Sequence, residues 1–405
     1  MFGNKISDHK GEKKSWLLAF LIFLNFLPYF VWHIGDWSYL ITLPTILILF
    51  LNSDFKAVTK PYFVFWILTI IVAALCSRNN ILGVIMMPLT YGLVFSLKEQ
   101  YLTKTYNKLY IIYSVTILIS MFMWVLVVIL SISVPYRVVE PLVEIKDYNY
   151  AVYPFLVRTN LDSINFESLG SMYRFCGLYD EPGVVGTLSF LFLSVEGFDF
   201  KNKWNIIILI SGLLSMSLFF YLASTFYIAI ILFSKGKFKL RTKLGFVVLI
   251  IGFAIFSYNN EILHTLVWER IEGRKSAQAL VDSRSTDDLK KYVKTIEFSS
   301  EWFFGVSDRE LIEKYSDGAS IYNAVIGYGV FTLFLYAVFF TIYAFRFSKS
   351  SKSALVALAV IALTLIQRPG FFILYYLFLF RSIIIVPSVI EKRELLSQQL
   401  LISSK

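Results

Sequence analysis

Apolar runs of 15 to 25 residues recur along the whole chain, separated by short polar stretches rich in lysine. Each run is long enough to cross a bilayer as a helix. The pattern predicts about twelve membrane helices, near 16–34, 38–51, 61–76, 79–97, 109–134, 182–198, 204–216, 218–234, 244–258, 319–345, 353–367 and 370–388. The alternating pattern of a membrane barrel is absent, so the expectation is an all-α polytopic membrane protein. The first run, Trp16 to Ile34, exceeds a signal-peptide core and lacks a small-residue cleavage site, so it reads as a retained helix.

Two long polar segments interrupt the pattern, at about 135–181 and 259–318. Neither a repeat nor a separate soluble domain is visible, so 1–405 reads as a single membrane domain. In the second segment Leu289, Tyr292, Val293 and Ile296 recur at helical spacing, which predicts an amphipathic helix over 286–301 on the outer membrane face or over a pocket. Ser285 and Asp288 form a weak capping box for it.

Composition agrees with the pattern: 57% of residues are hydrophobic, 16% are charged and mean hydropathy is +0.66. Charge then orients the spans. With the N-terminus inside, 22 lysines and arginines fall in short inner segments and two, Arg78 and Arg368, in short outer turns. That split places both termini in the cytoplasm and both long segments outside. The net charge of +10 is therefore topology and attraction to anionic inner-leaflet lipid, and it does not call for nucleic acid. Cys76 and Cys176 lack metal-site spacing; they read as two free thiols or one disulfide.

Arginine and lysine are sorted differently across the membrane. Nine of the 13 arginines are assigned outside: Arg78, Arg137, Arg158, Arg174, Arg270, Arg274, Arg284, Arg309 and Arg368. A guanidinium grips phosphate in two places and stays charged when partly desolvated. The set points to an outward-facing site for a phosphorylated anion. The alternative for any single arginine is a salt bridge, since the two segments also carry 19 acidic residues.

The stretch RFCGLYDEPGVVGTL, residues 174–188, puts Arg174, Asp180 and Glu181 before the helix at Pro182. Proline suits a first helical turn, and the acids suit a helix N-terminus, so capping is one reading. A carboxylate beside an arginine at the membrane–water boundary is the other: a general base next to an anion clamp. Asp287 and Asp288 have no third ligand placed, so no metal is expected, and no phosphate-loop, zinc or serine-hydrolase motif occurs.

The pattern R-x-x-G-L-x-x-E-P, carried by Arg174, Gly177, Leu178, Glu181 and Pro182, resembles the signature of the O-antigen polymerase and ligase superfamily. Tight helices around SMSLFFYLAST follow, with Leu218 where relatives carry arginine. The segment EWFFGVSD has the single Gly305 where two glycines are common. SDGASIYNAVIGYGVFTLFLY resembles the family's polar-entrance helix with a midway glycine, Gly329. No histidine stands near Asp317 and Ser320, and His264 reads as interfacial or as a base, so the resemblance is nearer a Wzy-type polymerase than a ligase.

The resemblance implies a GT-C-like fold in a bacterial inner membrane, with a periplasmic active site. It also implies undecaprenyl-diphosphate-linked oligosaccharide as substrate, no cofactor, and a chain-length regulator and flippase as partners. The expected catalytic carboxylates are Glu181, then Asp317 and Asp180. The expected diphosphate and sugar contacts are Arg174, Arg270, Arg274, Arg284, Tyr179 and Tyr322, the tyrosines serving either as stacking faces or as interfacial anchors. A ligase of the same superfamily, or a transporter or flippase, are the competing readings.

Overall fold

The computed structural model describes residues 2–32, 39–54, 91–140, 149–159, 163–166, 170–234, 240–260, 287–306 and 320–387, with single positions 67, 264 and 268. The chain divides into two compact units. One comprises Met1–Phe26, Ile34–Ile112 and Val281–Lys405; the other comprises Leu27–His33 and Tyr113–Leu280.

Helices dominate the described residues. They are α1 Phe2–Leu24, α2 Tyr39–Leu51, α3 Glu99–Trp124, α4 Pro182–Val195, α5 Lys203–Leu214, α6 Leu218–Ser234 and α7 Leu240–Asn259, then α8 Asp287–Ile296, α9 Ser300–Phe304, α10 Ile321–Phe347 and α11 Ser351–Gln367. A last apolar helix, α12, covers Leu374–Pro387. Two helical stretches are long and apolar enough to cross a membrane: Glu99–Ile129, which is α3 with its π-helical extension, and α10. Six others are apolar but only 10–17 residues long.

Several elements differ from expectation. Helix α1 ends at Leu24 rather than running to 34, because Leu27 adopts φ +56° and Pro28 follows. Helix α3 starts at Glu99, ten residues before the apolar run, because EQYLTKTYNK is polar yet helix-forming and buries Leu102, Thr103 and Tyr106. The segment 135–181 is not purely irregular. It holds an antiparallel sheet of β1 Arg137–Val139, β2 Tyr150–Tyr153 and β3 Leu156–Arg158, and a hairpin of β4 Ser163–Phe166 with β5 Gly170–Tyr173. Short runs such as YAVY and LVR, dense in tyrosine and valine, suit strands wherever the pairing partner is the chain itself. The all-α expectation missed them.

In the unit containing Tyr113–Leu280, α4 is the core. Every residue from Val185 to Val195 is buried, as for a helix apolar on all sides. It packs on α5 and α6. Small residues permit the approach: a Cβ on Gly186 would lie 2.6 Å from Ser217 Cβ. Hydroxyls stitch the helices together. Tyr113 of α3 bonds Ser189 of α4 at 3.0 Å, and Ser189 bonds Ser211 of α5 at 3.0 Å. The Tyr227 hydroxyl donates to the Ser194 carbonyl at 3.0 Å.

In the other unit α10 packs on α9 and α11. It is kinked at Gly329, which has φ +74° and non-helical geometry. The Ile326 carbonyl beside the kink accepts from Val306 N–H at 2.8 Å, so the chain's own backbone fills the break. Along α10 beyond the kink, aromatic rings of Tyr336, Phe339, Phe340 and Tyr343 interlock with Tyr91 and Phe95. The amphipathic α8 lays Leu289, Val293 and Ile296 against Val306 and Ile326. It is shorter than the expected 286–301, because the chain turns through Phe298 at φ +62° before α9. Asp287 and Asp288 pair with Lys290 and Lys291, and the Lys290 hydrogen bond holds the Asp287 carboxyl below the usual carboxylate range.

Outward-facing apolar stripes run along several helices. Ile111, Val115, Leu118 and Phe122 on α3 are exposed at helical spacing, as are Leu244, Val248, Ile251 and Ile255 on α7. Contiguous apolar surface of this kind is what a helix presents to lipid.

Candidate functional site

The stretch 174–181 is an irregular, buried strap ahead of α4, tied down from three sides. Phe175 N–H donates to the Leu214 carbonyl at 3.1 Å. The Gly177 carbonyl accepts from Val157 N–H of β3 at 2.8 Å, and the Leu178 carbonyl accepts from Tyr29 N–H at 2.8 Å. Gly177 sits at φ +58°, a conformation side chains rarely adopt, and its missing Cβ keeps the strap close to Ile117 and Val185. Within the strap Phe175, Cys176 and Leu178 are buried. Cys176 shares a core with Trp32, Tyr150, Val152 and Val157.

Arg174 is half-buried at the start of this strap. Its Nε donates to the Ser215 carbonyl at 3.1 Å and its Nη2 to the Met216 carbonyl at 3.4 Å. These carbonyls belong to the turn closing α5, where orphan acceptors and the helix dipole favour a cation. Two N–H groups are so engaged; the other N–H groups of the fork make no hydrogen bond to the described residues, and among those residues no carboxylate pairs with it. Among the described residues the salt-bridge alternative therefore has no partner to offer Arg174.

Seven residues on, Glu181 is the N-cap of α4 and Pro182 its first residue, as the sequence predicts. The capping reading holds for the backbone alone: the Glu181 carbonyl accepts from Val184 N–H at 3.1 Å, while its carboxylate makes no capping bond. Asp180 and Glu181 are both half-buried. Tyr179 is 1% exposed, so its ring offers no face for stacking and that expectation is corrected.

Tyr322 lies in the other unit, in the first turn of α10, where its N–H is capped by Ser320 and its ring packs against the α8 core. The structure thus brings Arg174, Tyr179, Asp180 and Glu181 into one strap, and Tyr322 belongs to the other unit. Arg270, Arg274, Arg284 and Asp317 lie outside the described residues, as do Cys76 and Ser285. The His264 ring packs edge-on against Tyr258 at 5.2 Å.

Sequence reading places Arg158 among the nine outward arginines but not among the expected contacts. Its guanidinium carbon lies 4.3 Å from the Tyr173 ring centre and 6.0 Å from that of Tyr153. The missed signal is the Y-x-x-x-x-R spacing of YPFLVR, which a hairpin folds back on itself. Arg381, the one arginine within an apolar run, is 4% exposed. It donates to the Tyr343 hydroxyl at 2.9 Å and to the Val94 and Leu97 carbonyls, closing the end of helix 91–96. That is a structural cap.

Comparison with protein-family models, with curated proteins and with solved structures finds no match to the chain.

Proposed function

We propose that the chain is a polysaccharide polymerase of a bacterial cytoplasmic membrane, joining undecaprenyl-diphosphate-linked repeat units at the outer face. In this reading it spans the membrane about twelve times with a GT-C-like arrangement, and both termini are cytoplasmic. The lysine and arginine split supports the orientation, and the outward apolar stripes support the lipid setting.

The observation that carries the reading is the state of Arg174. A half-buried guanidinium, aimed by two backbone carbonyls and without an acid among the described residues, keeps donors for an anionic leaving group. Glu181, seven residues later, keeps its carboxylate out of helix capping.

In the reaction an acceptor-sugar hydroxyl attacks the anomeric carbon of the lipid-linked chain. The new C–O bond forms as the bond to the diphosphate breaks. The hydroxyl proton passes to the carboxylate of Glu181, with Asp180 and Asp317 as the further candidates. Undecaprenyl diphosphate departs with the bonding electrons, its charge met by Arg174 together with Arg270, Arg274 and Arg284. Tyr322 would contact the sugar. No step calls for a metal or cofactor.

The transporter reading predicts a broken helix with a binding site in the gap. Helix α10 is broken at Gly329, but Val306 N–H occupies the exposed carbonyl of Ile326, which weighs against a substrate site there. A ligase would use the same donor site.

The test is deletion of the chromosomal copy, with surface glycan resolved on a gel and complementation by wild type or Arg174→Ala. The polymerase reading expects lipid A-core bearing one repeat unit in both the deletion and the Arg174→Ala strain. Bare core with polymer held on the carrier identifies a ligase. An unchanged ladder overturns the lipopolysaccharide assignment.

A further inference from the structure

We propose that Arg158 is a receptor for an acidic sugar, gripping the carboxylate of a uronate- or sialate-type residue. The class of ligand rests on the glycan reading above; the binding site itself rests on the following geometry.

Arg158 ends β3, opposite Ala151 of β2. The sheet register puts Val138, Ala151, Tyr153 and Arg158 on one face. The other face sends Tyr150, Val152 and Val157 into the core with Trp32 and Cys176. Above Arg158 lie the Tyr173 and Tyr153 rings. Cation–π contact of this kind engages the charge of the guanidinium and uses none of its N–H groups as donors to a carbonyl or carboxylate.

The N–H edge of the guanidinium meets nothing among the described residues. Arg158 is half-buried, its Nε is fully buried without a hydrogen-bond partner, and among the described residues it bonds no carbonyl and no carboxylate. Leaving a buried cationic donor unsatisfied costs stability, and tyrosine faces offset only part of it. The molecule supplies its own contrast. Arg174 directs donors to the Ser215 and Met216 carbonyls, and Arg381 directs its donors to Val94, Leu97 and Tyr343. Those two close helix ends. Arg158 closes none.

A planar N–H edge matches a carboxylate in two places. A single guanidinium balances the single charge of a carboxylate, whereas a diphosphate calls for several cations. Beside the site, Tyr136 is 57% exposed with its ring 5.1 Å from Tyr153, a face on which the C–H side of a pyranose can rest. Tyr173 joins this site to the strap, because its carbonyl is held by Trp124 Nε1 at 3.1 Å and Arg174 is the next residue.

The test is calorimetric titration of the purified full-length protein with disaccharides ending in galacturonate, glucuronate or sialate. Neutral galactobiose and inorganic pyrophosphate are the comparison probes, and circular dichroism checks the fold of each variant. At least one acidic disaccharide is expected to bind, and galactobiose to bind about tenfold more weakly or worse. Arg158→Met and Arg158→Lys should remove that preference, since lysine keeps the charge but loses the fork. Tyr173→Phe, which keeps the ring, should retain it. Failure of every acidic disaccharide to bind, or equal binding by Arg158→Met, overturns the proposal. Tighter, Arg158-dependent binding of pyrophosphate overturns it as well, in favour of a phosphate site. The titration needs no turnover, so a polymerase that fails in the deletion test is recognised separately.

Discussion

The Arg174 Nε donates to the Ser215 carbonyl at 3.1 Å, fastening the strap that precedes α4 to the C-terminal turn of α5. One side chain therefore joins two segments 41 residues apart and still holds donors in reserve. Structure and chemistry make different demands on it. Arg174→Lys keeps a cation at the helix end but cannot reach two carbonyls and an anion together. We expect a stability loss of about 1–3 kcal/mol in thermal unfolding, and a fall in polymer formation far larger than this predicts. Equal activity for the lysine variant would limit the residue to a point charge.

Gly186 is the point at which α4 meets that same turn. An added Cβ would lie 2.6 Å from Ser217 Cβ and 2.8 Å from Ser217 Oγ, forcing the 215–217 turn outward. Gly186→Ala should cost about 1–3 kcal/mol and should impair activity along with stability, since the carbonyls that aim Arg174 move. Gly245→Ala is the control. It sits on α7 with nothing within 4 Å, so the alanine is expected to be neutral or slightly stabilising.

Gly329→Ala addresses the other unit. The new Cβ would strike the Phe303 carbonyl oxygen and lie 2.6 Å from Gly305 N, at a φ of +74° that alanine resists. The 300–306 segment should then detach from α10, losing the Val306–Ile326 hydrogen bond. Limited proteolysis is expected to show faster cleavage between residues 287 and 306 than in wild type.

The Tyr113–Ser189–Ser211 chain of hydroxyls is buried among helices apolar enough to lie in lipid. A double-mutant cycle with Tyr113→Phe and Ser189→Ala should return a coupling of about 0.6 kcal/mol, and at most about 1.7 kcal/mol. No coupling would mean that the contact is geometric only.

Much of the helix order was legible because a run of apolar residues has one stable answer in lipid. Pro182 at the start of α4 carried that boundary in plain residue chemistry. The strands of 135–181 were not legible. Their runs are three or four residues long, too short for periodicity to separate from loop. The role of Arg174 as a helix-end anchor was hidden for a different reason. It depends on the carbonyls of Ser215 and Met216, and a carbonyl carries no sequence signal. Arg158 was masked by the same blindness: its two tyrosines, five residues before it and fifteen after, meet it only once the hairpins close.

The central claim is most directly tested by reconstitution. The purified protein is placed in liposomes carrying an undecaprenyl-diphosphate-linked repeat unit, and glycan length and released undecaprenyl diphosphate are measured together. The expected result is a ladder of polymer with one carrier released per linkage, both lost in Arg174→Ala. Absence of both products from active-site-intact protein, with labelled carrier instead crossing the bilayer, would contradict a polymerase and establish a transporter.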